Sequence, residues 1–266
     1  MSVAASNVDA VIDARRGVLF PDRMPQFHRL PPEPAAAELI AWFWVPEWDL
    51  PEGQISRQDV VAYPALNLVI SPEGAQLTGP TTSATYRELS GRGWAVGALL
   101  RPAGVAGLTA DPASLRDSAI VLQAPELVEQ VAYAMAQPDR LSRVVEIVSR
   151  WLVQQKGTIT DADRHANHMA DLLMTDATVR SAKQAAAHLA VSLRTLQRMT
   201  HRYVGLPPLA MIRRRRLQEA AQRLRDDPDS DLSTLAADLG YADHAHLTAD
   251  FRRVLGMPPS SYRARL

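Results

Sequence analysis

The sequence contains no cysteine among its 266 residues. Disulfide bonds, a thiolate nucleophile and a cysteine-ligated zinc site are therefore excluded. Long apolar runs are also missing, since no stretch reaches the roughly eighteen residues that a membrane-spanning helix needs. The opening residues MSVAASNVDAVIDARRG lack the basic start and apolar core of a secretory signal. These absences predict a cytoplasmic protein with no membrane partner.

Histidine is scarce in the first half of the chain, where His28 is the only one before residue 160. Small β-barrel enzymes of the cupin type bind a metal through several histidines and a carboxylate. One histidine cannot build such a site, so we predict no catalytic residue, no metal and no cofactor. Asp161, His165 and His168 share one helical face, but a solvated polar face is commoner than a metal site in such a pattern.

The formal net charge is zero, yet the charges are unevenly divided. Residues 178–266 carry 15 Arg and Lys against 8 Asp and Glu, a net of +7, and residues 1–177 carry 14 against 21, a net of −7. The basic part has the charge that a phosphate-binding surface requires. The acidic part is predicted to have another role.

Residues 181–205, here called unit 1, are predicted to form two short helices joined by a tight turn. Ser192 is a good N-cap for the second helix, in which Leu196, Met199 and Tyr203 recur at helical spacing and face inward. The side chains left on the outside are Arg194, Thr195, Gln197, Arg198, His201 and Arg202. This pattern suits a helix that enters the DNA major groove, although a solvated helical hairpin has a similar pattern.

Residues 231–256, here called unit 2, repeat the same pattern. Gly240 supplies the turn, Asp243 can cap the next helix, and Leu247, Phe251 and Leu255 recur every four residues. The outward side chains are His244, His246, Thr248, Arg252 and Arg253. Residues 207–226 between the units predict one amphipathic helix, which would hold the two outer faces at a fixed separation. Major-groove segments on one side of B-DNA recur about every 34 Å.

About ninety C-terminal residues resemble the AraC/XylS family of bacterial transcription regulators. In unit 1 and the joining helix the matching positions are Ala186, Ser192, Leu196, Gln197, Arg198, Gly205, Pro208, Arg216, Leu217 and Ala220. In unit 2 and beyond they are Leu235, Ala236, Gly240, Tyr241, Asp243, Phe251, Gly256, Pro259, Tyr262 and Arg263. The resemblance implies a seven-helix domain with two recognition helices in adjacent major grooves.

Two positions depart from the family pattern. Thr200 stands where the family usually has an inward aromatic residue, so unit 1 is expected to be less well packed. Ala249 stands where many members have a basic residue, so base reading is expected mainly from Arg194, Gln197 and Arg198. Phosphate contacts are expected from the cations around them, Arg202, Arg213 to Arg216, Arg252 and Arg253, although the run at 213–216 can also face solvent or pair with aspartates.

The N-terminal part predicts a small antiparallel barrel or sandwich. Residues 1–25 show no clear period and are expected to be a mobile arm or a short helix. The predicted strands cover 39–50, 60–71, 75–78, 86–89 and 94–100, separated by Pro and Gly turns. Three stretches, WVPEWDL at 44–50, Gly79-Pro80 and GALLRPAG at 97–104, weakly resemble the β-rich sensing or dimerisation domains of the same family.

A candidate ligand pocket combines large apolar faces with a few polar groups, the usual mix for a small organic ligand. Its residues are Trp42, Trp44, Trp48, Tyr63, Asn67, Trp94 and Arg101. The alternative is that the tryptophans simply form the core of the sheet.

After Ala124 the apolar residues recur at the spacing of a helix. One helix is predicted over 125–136, and a second begins at Pro138-Asp139 with a wide apolar stripe that ends at Leu152. The stripe either packs on the barrel or forms a dimer interface. A flexible link is expected near 154–160, ahead of a helix over 161–174.

The sequence therefore predicts an α+β protein with a cupin-like small β-barrel and flanking helices over 1–155 and an all-α domain with two helix-turn-helix units over 156–266. The predicted function is sequence-specific transcription regulation rather than catalysis. A cupin-like enzyme or small-molecule carrier with a helical module is the alternative. The expected partners are double-stranded DNA, a small organic effector, a second copy of the chain, and RNA polymerase if the protein is an activator.

Overall fold

The computed structural model describes residues 26–60 and 63–266, with only the backbone of Val60. The predicted arm at 1–25 lies outside these residues. Within them, nine strands occur: β1 Gln26–Leu30, β2 Ile40–Asp49, β3 Ile55–Val60, β4 Asn67–Ser71, β5 Gly74–Thr78, β6 Thr85–Ser90, β7 Arg92–Trp94, β8 Val96–Leu100 and β9 Ala119–Leu122. The strands β1, β3 and β9 were not predicted, and the predicted strand over 60–71 begins only at Asn67, with residues 61 and 62 outside the described part.

Seven strands form one antiparallel sheet in the order β1-β2-β8-β4-β5-β9, with β7 also paired to β2, and β3 pairs with β6 in a separate two-stranded sheet. In the described part of the chain β1 pairs only with β2 and β9 only with β5, so the sheet stays open. The α+β class is confirmed, but the predicted closed barrel is replaced by an open sheet. One edge strand, β9, is only four residues long.

The alternation of side chains along β2 separates the two faces of the sheet. Phe43 and Val45 are buried in the core, while Trp42, Trp44 and Trp48 lie half-buried on the other face. Ile40 is also buried, three positions before Phe43, because the β2–β8 register shifts between Ile40 and Trp42.

Two helices, α2 Pro125–Met135 and α3 Arg140–Lys156, pack against the core face of the sheet. A four-residue helix, α1 Pro102–Val105, and short 3-10 helices at Pro34–Ala36 and Pro112–Leu115 complete this half. Val144, Val145, Val148 and Leu152 are all buried in the sheet core. The apolar stripe therefore packs on the sheet, which was one of its two predicted uses.

The connection to the C-terminal helices is short and held by side chains. Gly157 ends α3 with φ of 62°, and Thr160 begins the next helix with a capping box completed by Asp163. Lys156 Nζ lies 2.8 Å from Asp163 Oδ2. Burial of Asp163 disfavours its ionised form, but hydrogen bonds from Lys156 and Thr160 outweigh this effect and hold its pKa below the usual value. The link predicted as flexible is thus anchored at both ends.

The C-terminal half contains seven helices: α4 Asp161–Thr175, α5 Ala182–His188, α6 Leu193–Val204, α7 Pro208–Asp226, α8 Leu232–Asp238, α9 His244–Leu255 and α10 Pro259–Arg263. They enclose two separate apolar clusters. One lies around α4, α5, α6 and the start of α7, and the other around the end of α7, α8, α9 and α10. Each helix-turn-helix unit thus has its own core, and α7 joins them. Among the described residues no helix is both long and apolar enough to cross a membrane. The domain division at 155/156 remains a prediction.

Candidate DNA-binding surface

Unit 1 forms the predicted helix-turn-helix, with α5 followed by α6. Ser192 caps α6 by accepting a hydrogen bond from Thr195 N at 3.1 Å. Leu196 is fully buried, Tyr203 is buried, and Met199 packs partly against the same cluster, as predicted. The outward residues Arg194, Gln197, Arg198, His201 and Arg202 are exposed, and Thr195 is half-buried.

The N-terminal half of α6 is free to meet a ligand. In the part of the chain that the structure describes, no side-chain hydrogen bond or ion pair engages Arg194, Gln197 or Arg198. Arg202, one turn further on, has its guanidinium 5.4 Å from the Tyr203 ring centre. Two unpaired cations and a carboxamide on one exposed helical face match the donors and acceptors that base edges require.

Unit 2 forms the second helix-turn-helix, with α8 followed by α9. Asp243 caps α9 by accepting from His246 N at 2.7 Å, and Leu247, Phe251 and Leu255 are buried. His244, His246, Arg252 and Arg253 are exposed, while Thr248 is half-buried. Arg253 also forms an ion pair with Asp250. Ala245 and Ala249 are exposed as well, so the face of unit 2 has fewer cations than that of unit 1.

The run of four arginines at 213–216 in α7 has partners inside the protein. Arg215 is buried and donates to backbone carbonyls of Leu173, Asp176 and Val179, where α4 ends. Arg214 is buried and donates to Thr81 O at 2.7 Å. The expectation of phosphate contacts from Arg214 and Arg215 is therefore wrong, because both guanidinium groups are covered by protein.

The other two arginines of this run lie nearer the surface. Arg213 Nε lies 3.0 Å from Asp250 Oδ2, and the guanidinium of Arg216 stacks 3.7 Å from the Tyr241 ring centre. Burial lowers the pKa of Arg216 and raises that of Tyr241 to about 12. Their phosphate contacts stay a prediction, but both side chains already join α7 to unit 2.

The seven residues of the predicted ligand pocket do not all lie together in the structure. The rings of Trp42 and Tyr63 meet edge to face at 4.7 Å, and Trp44 Nε1 donates to Asn67 Oδ1 at 3.0 Å on the same sheet face. Trp48 donates to Ser90 O near the end of β2. Two residues lie elsewhere: Trp94 packs against the sheet core, and Arg101 pairs with Asp171 of α4. The aromatic face is thus formed by Trp42, Trp44, Tyr63 and Asn67, and the guanidinium of Arg29, which was not predicted, lies 5.1 Å from the Trp42 ring.

A surface groove of about 530 Å³ lies away from the aromatic face, beside α2 and α3, with Trp151 and several glutamines in its lining. No cluster of three or more His, Cys, Asp or Glu suited to a metal occurs in the described residues. Within the predicted Asp161–His165–His168 set, His165 Nδ1 lies 2.8 Å from the Asp161 backbone oxygen. Arg164 engages the Asp161 carboxylate.

Comparisons with known proteins agree with this geometry. Residues 185–265 match the model of a helix-turn-helix domain, and residues 28–120 match a domain of unknown function (DUF6597). A putative AraC-like transcription regulator from Streptomyces lividans is 40% identical over 74 residues, 28% of this chain and 24% of the relative. The HTH-type transcriptional activator RhaS of Pectobacterium carotovorum subsp. carotovorum (strain PC1) is 35% identical over 78 residues, 29% of this chain and 28% of the relative. The chain thus spans about a quarter of the length of these two curated relatives.

A solved structure that aligns with most of this chain is ToxT from Vibrio cholerae O395. It is 12% identical, covers 90% of this chain and 96% of its own length, and superposes with a TM-score of 0.40. The unsaturated fatty acid bound ToxT from Vibrio cholerae strain SCE256 has a TM-score of 0.43 at 12% identity, over 84% of this chain and 95% of that chain.

Proposed function

We propose that this chain, a member of the AraC family of bacterial transcription regulators, binds specific DNA sites by placing α6 and α9 in the major groove. The observation that carries the proposal is the exposed face of α6. Its Arg194, Gln197 and Arg198 are unengaged within the described part of the protein, on a helix whose N-terminus Ser192 caps. The same backbone arrangement recurs in unit 2.

Two kinds of contact are assigned to these residues. Arg194, Gln197 and Arg198 read base edges, since arginine can bond guanine and glutamine can bond adenine in pairs of hydrogen bonds. Phosphate contacts, which set the register on the duplex, come from Arg202, Arg213, Arg216 and Arg252. His244, His246 and Thr248 make the smaller contribution of unit 2.

The N-terminal half is proposed to control this binding. The aromatic face formed by Trp42, Trp44, Tyr63 and Asn67 supports a site for a small organic effector, because it offers apolar area beside a carboxamide. A homodimer, and contact with RNA polymerase if the protein is an activator, are further proposed partners. The relatives named above are transcription regulators, so we propose no catalytic activity, and the protein is proposed to act in the cytoplasm.

A binding assay on the full chain tests the proposal. Fluorescence anisotropy with the DNA upstream of the protein's own gene should show saturable binding that weakens steeply with added salt, as release of counterions from phosphates requires. A variant with Arg194→Ala, Gln197→Ala and Arg198→Ala should lose preference for this DNA over a random duplex of equal length.

The matched control removes two exposed cations of α3, Arg143→Ala with Arg150→Ala. These residues lie in the other half of the chain, so binding should stay unchanged. Equal losses in the triple variant and the control would contradict the proposal. A metal assay and a thermal-shift screen of small metabolites on the same samples address the alternative of an enzyme or carrier.

A further inference from the structure

Two loops of the N-terminal half, residues 79–84 and 112–118, are joined into one body, here called the loop clamp. Gly79 N donates to Ser118 O at 2.9 Å, and Asp117 N donates to Pro80 O at 3.1 Å. The Asp117 carboxylate accepts from Thr82 N and Thr82 Oγ1 at 2.6 and 2.8 Å. Each loop thus donates hydrogen bonds to the other, so the two loops are held together as one body.

The loop clamp contacts unit 1 at the end of its recognition helix. Arg116 Nη2 donates to the carbonyl oxygen of Gly205, the residue that ends α6, at 2.9 Å. The approach is close, because a methyl group on Gly205 would lie 2.6 Å from the Pro112 carbonyl oxygen. The N-terminal half also holds α4 beside unit 1, since Asn167 accepts from Ala103 N and donates to Glu38 O. Unit 1 and the sheet are therefore joined by several polar contacts.

The same loop clamp contacts unit 2 at the corresponding end of α9. Ala84 N donates to Val254 O at 2.5 Å, and Ala84 packs against the apolar cluster of unit 2. Between the two units, Arg214 of α7 donates to Thr81 O at 2.7 Å. The C-terminal ends of both recognition helices and the helix between them are thus tied to one body. The N-terminal halves of α6 and α9, which carry the proposed base contacts, lie outside these bonds.

The contact between the loop clamp and α7 is unusually polar for a buried surface. Arg214, which contacts Thr81, is only 4% exposed. Among the described residues no partner lies within hydrogen-bond distance of Arg214 Nη1 or of Thr81 Oγ1. Burial lowers the pKa of Arg214 to about 10, which agrees with a guanidinium held away from water. Buried polar groups without partners oppose the closed contact, so this surface parts more easily than an apolar one.

We propose that the loop clamp holds the two recognition helices at the separation that DNA requires, and that its release at the polar contact frees unit 2, together with the end of α7, to move relative to unit 1. The inference rests on the proposed DNA-binding function. It assigns to Thr81, Ala84 and Arg214 the role of positioning residues, since none of them lies on a recognition helix. The separate cores of the two units allow this movement, because unit 2 can move without opening unit 1.

Spin labels test the inference without DNA. Ala187→Cys and Ala237→Cys place one label on an exposed position of α5 and one on the equivalent position of α8, and the natural chain has no cysteine to interfere. The distance distribution between the labels is measured by pulsed electron spin resonance. In the background of Ala84→Pro, which removes the N–H bonded to Val254, the distribution should broaden, whereas Arg214→Met should narrow it, because an apolar chain replaces a guanidinium that opposes the closed contact. Arg223→Met, on the same helix as Arg214, removes ion pairs with Glu219 of α7 and Asp238 of α8, both outside the loop clamp. It is the control and should leave the distribution unchanged.

DNA affinity is then measured for the same variants. Release of the loop clamp should weaken specific binding by about tenfold, because the separation of the two helices is no longer fixed before binding. Arg214→Met should keep or raise the melting temperature, since a buried guanidinium is replaced by an apolar chain of similar length. This variant keeps the test valid if Ala84→Pro fails to fold.

The outcomes separate the two proposals. An unchanged distance distribution in the folded variants overturns the loop clamp, and so does tighter DNA binding by Ala84→Pro, since the closed form would then be the inhibited one. A native chain that binds no DNA overturns the proposed function, while the label distances still report on the contact.

Discussion

Unit 1 and unit 2 share a backbone but differ in the side chains at equivalent positions. Gly205 and Gly256 both end their recognition helices in the left-handed region, at φ of 79° and 77°, and they lie 51 positions apart. At that spacing Thr200 of unit 1 corresponds to Phe251 of unit 2, and both side chains are fully buried. Arg198 corresponds to Ala249, and both are exposed. Unit 1 therefore has a cation on its outer face and a small polar side chain in its core at these two positions, where unit 2 has an exposed alanine and a buried aromatic ring.

The division suggests that one unit can supply specificity while the other supplies packing and position. Phe251 lies 5.7 Å from the Tyr262 ring, so the core of unit 2 continues into α10. Thr200 instead satisfies its hydroxyl on the Gln197 carbonyl within its own helix. The following changes test this difference between the units, from the largest expected effect to the smallest.

Phe251→Ala should destabilise the protein by about 3–5 kcal/mol, because it opens a cavity in the core of unit 2. Urea unfolding followed by circular dichroism gives the free energy, and amide exchange should show the loss mainly in α8 and α9. Thr200→Ala is the matched change in unit 1 and should cost about 1 kcal/mol, the worth of one hydrogen bond. Similar losses for the two variants would show that the cores are equivalent.

Arg198→Ala should weaken binding to the target site by about 1–3 kcal/mol and relax its specificity, because a base contact is lost. Arg252→Ala should weaken binding to target and random duplexes alike, as expected for a phosphate contact. Anisotropy titrations on both duplexes at fixed salt measure the difference. An equal loss on both duplexes for Arg198→Ala would contradict its role in base reading.

Gly240→Ala should destabilise unit 2 by about 1–2 kcal/mol, since φ at this position is left-handed. The angle is +73°, and a methyl group would also lie 2.7 Å from Arg180 Cδ. The equivalent turn residue of unit 1 is Ala190, with φ of 52°. Ala190→Gly should therefore raise stability by about 0.5 kcal/mol. Chemical unfolding measures the free energy of unfolding of both variants, which should fall for Gly240→Ala and rise for Ala190→Gly. A fall in both variants would mean that the two turns are not equivalent.

Ala249→Arg should give unit 2 a cation at the position of Arg198. Binding to all duplexes should strengthen by roughly threefold, with a steeper salt dependence, because one more phosphate comes within reach. Ala187→Arg, on the exposed side of α5, is the control for charge alone. If both changes act equally, only net charge matters at this position.

Asp231→Ser should remove a pH dependence of the stability of α8. The equivalent helix of unit 1, α5, has no such dependence. Asp231 caps α8 by accepting from Thr234 N and Thr234 Oγ1, and these bonds lower its pKa. Because the folded pKa is the lower one, the stabilisation is present above the unfolded value and is lost as pH falls through the folded pKa. Ser181 has the same place in unit 1 and does not titrate. Amide exchange of α8 between about pH 5 and about pH 2 should differ between the native chain and the variant, and identical profiles would show that the cap adds nothing.

The local features of the chain were predictable, and the long-range ones were not. Ser192, Asp243 and the glycines at 205 and 240 determine their turns within a few residues, so the two units could be read from the sequence. The partners of Arg213 to Arg216 lie about 25 to 135 residues away, and nothing near residue 214 indicates Thr81. Charge alone therefore suggested phosphate contacts where two guanidinium groups are buried.

The sheet shows the same limit. The predicted strand over 94–100 is divided between β7 and β8, because Ala95 N bonds to Pro46 O between two sections of β2. Because of this division, Trp94 packs against the sheet core and lies away from the aromatic face. Closure of the sheet depends on which edge strands meet, and the sequence of neither β1 nor β9 specifies that pairing.

The anchored connection between α3 and α4 has a practical consequence for labelling. The sequence has two lysines, Lys156 and Lys183. The first is held against Asp163 with a side chain only 10% exposed, whereas the second is exposed on α5. Amine-directed dyes should therefore couple to the folded protein at one lysine side chain, Lys183. A fluorophore there would sit within unit 1 and report duplex association without any substitution.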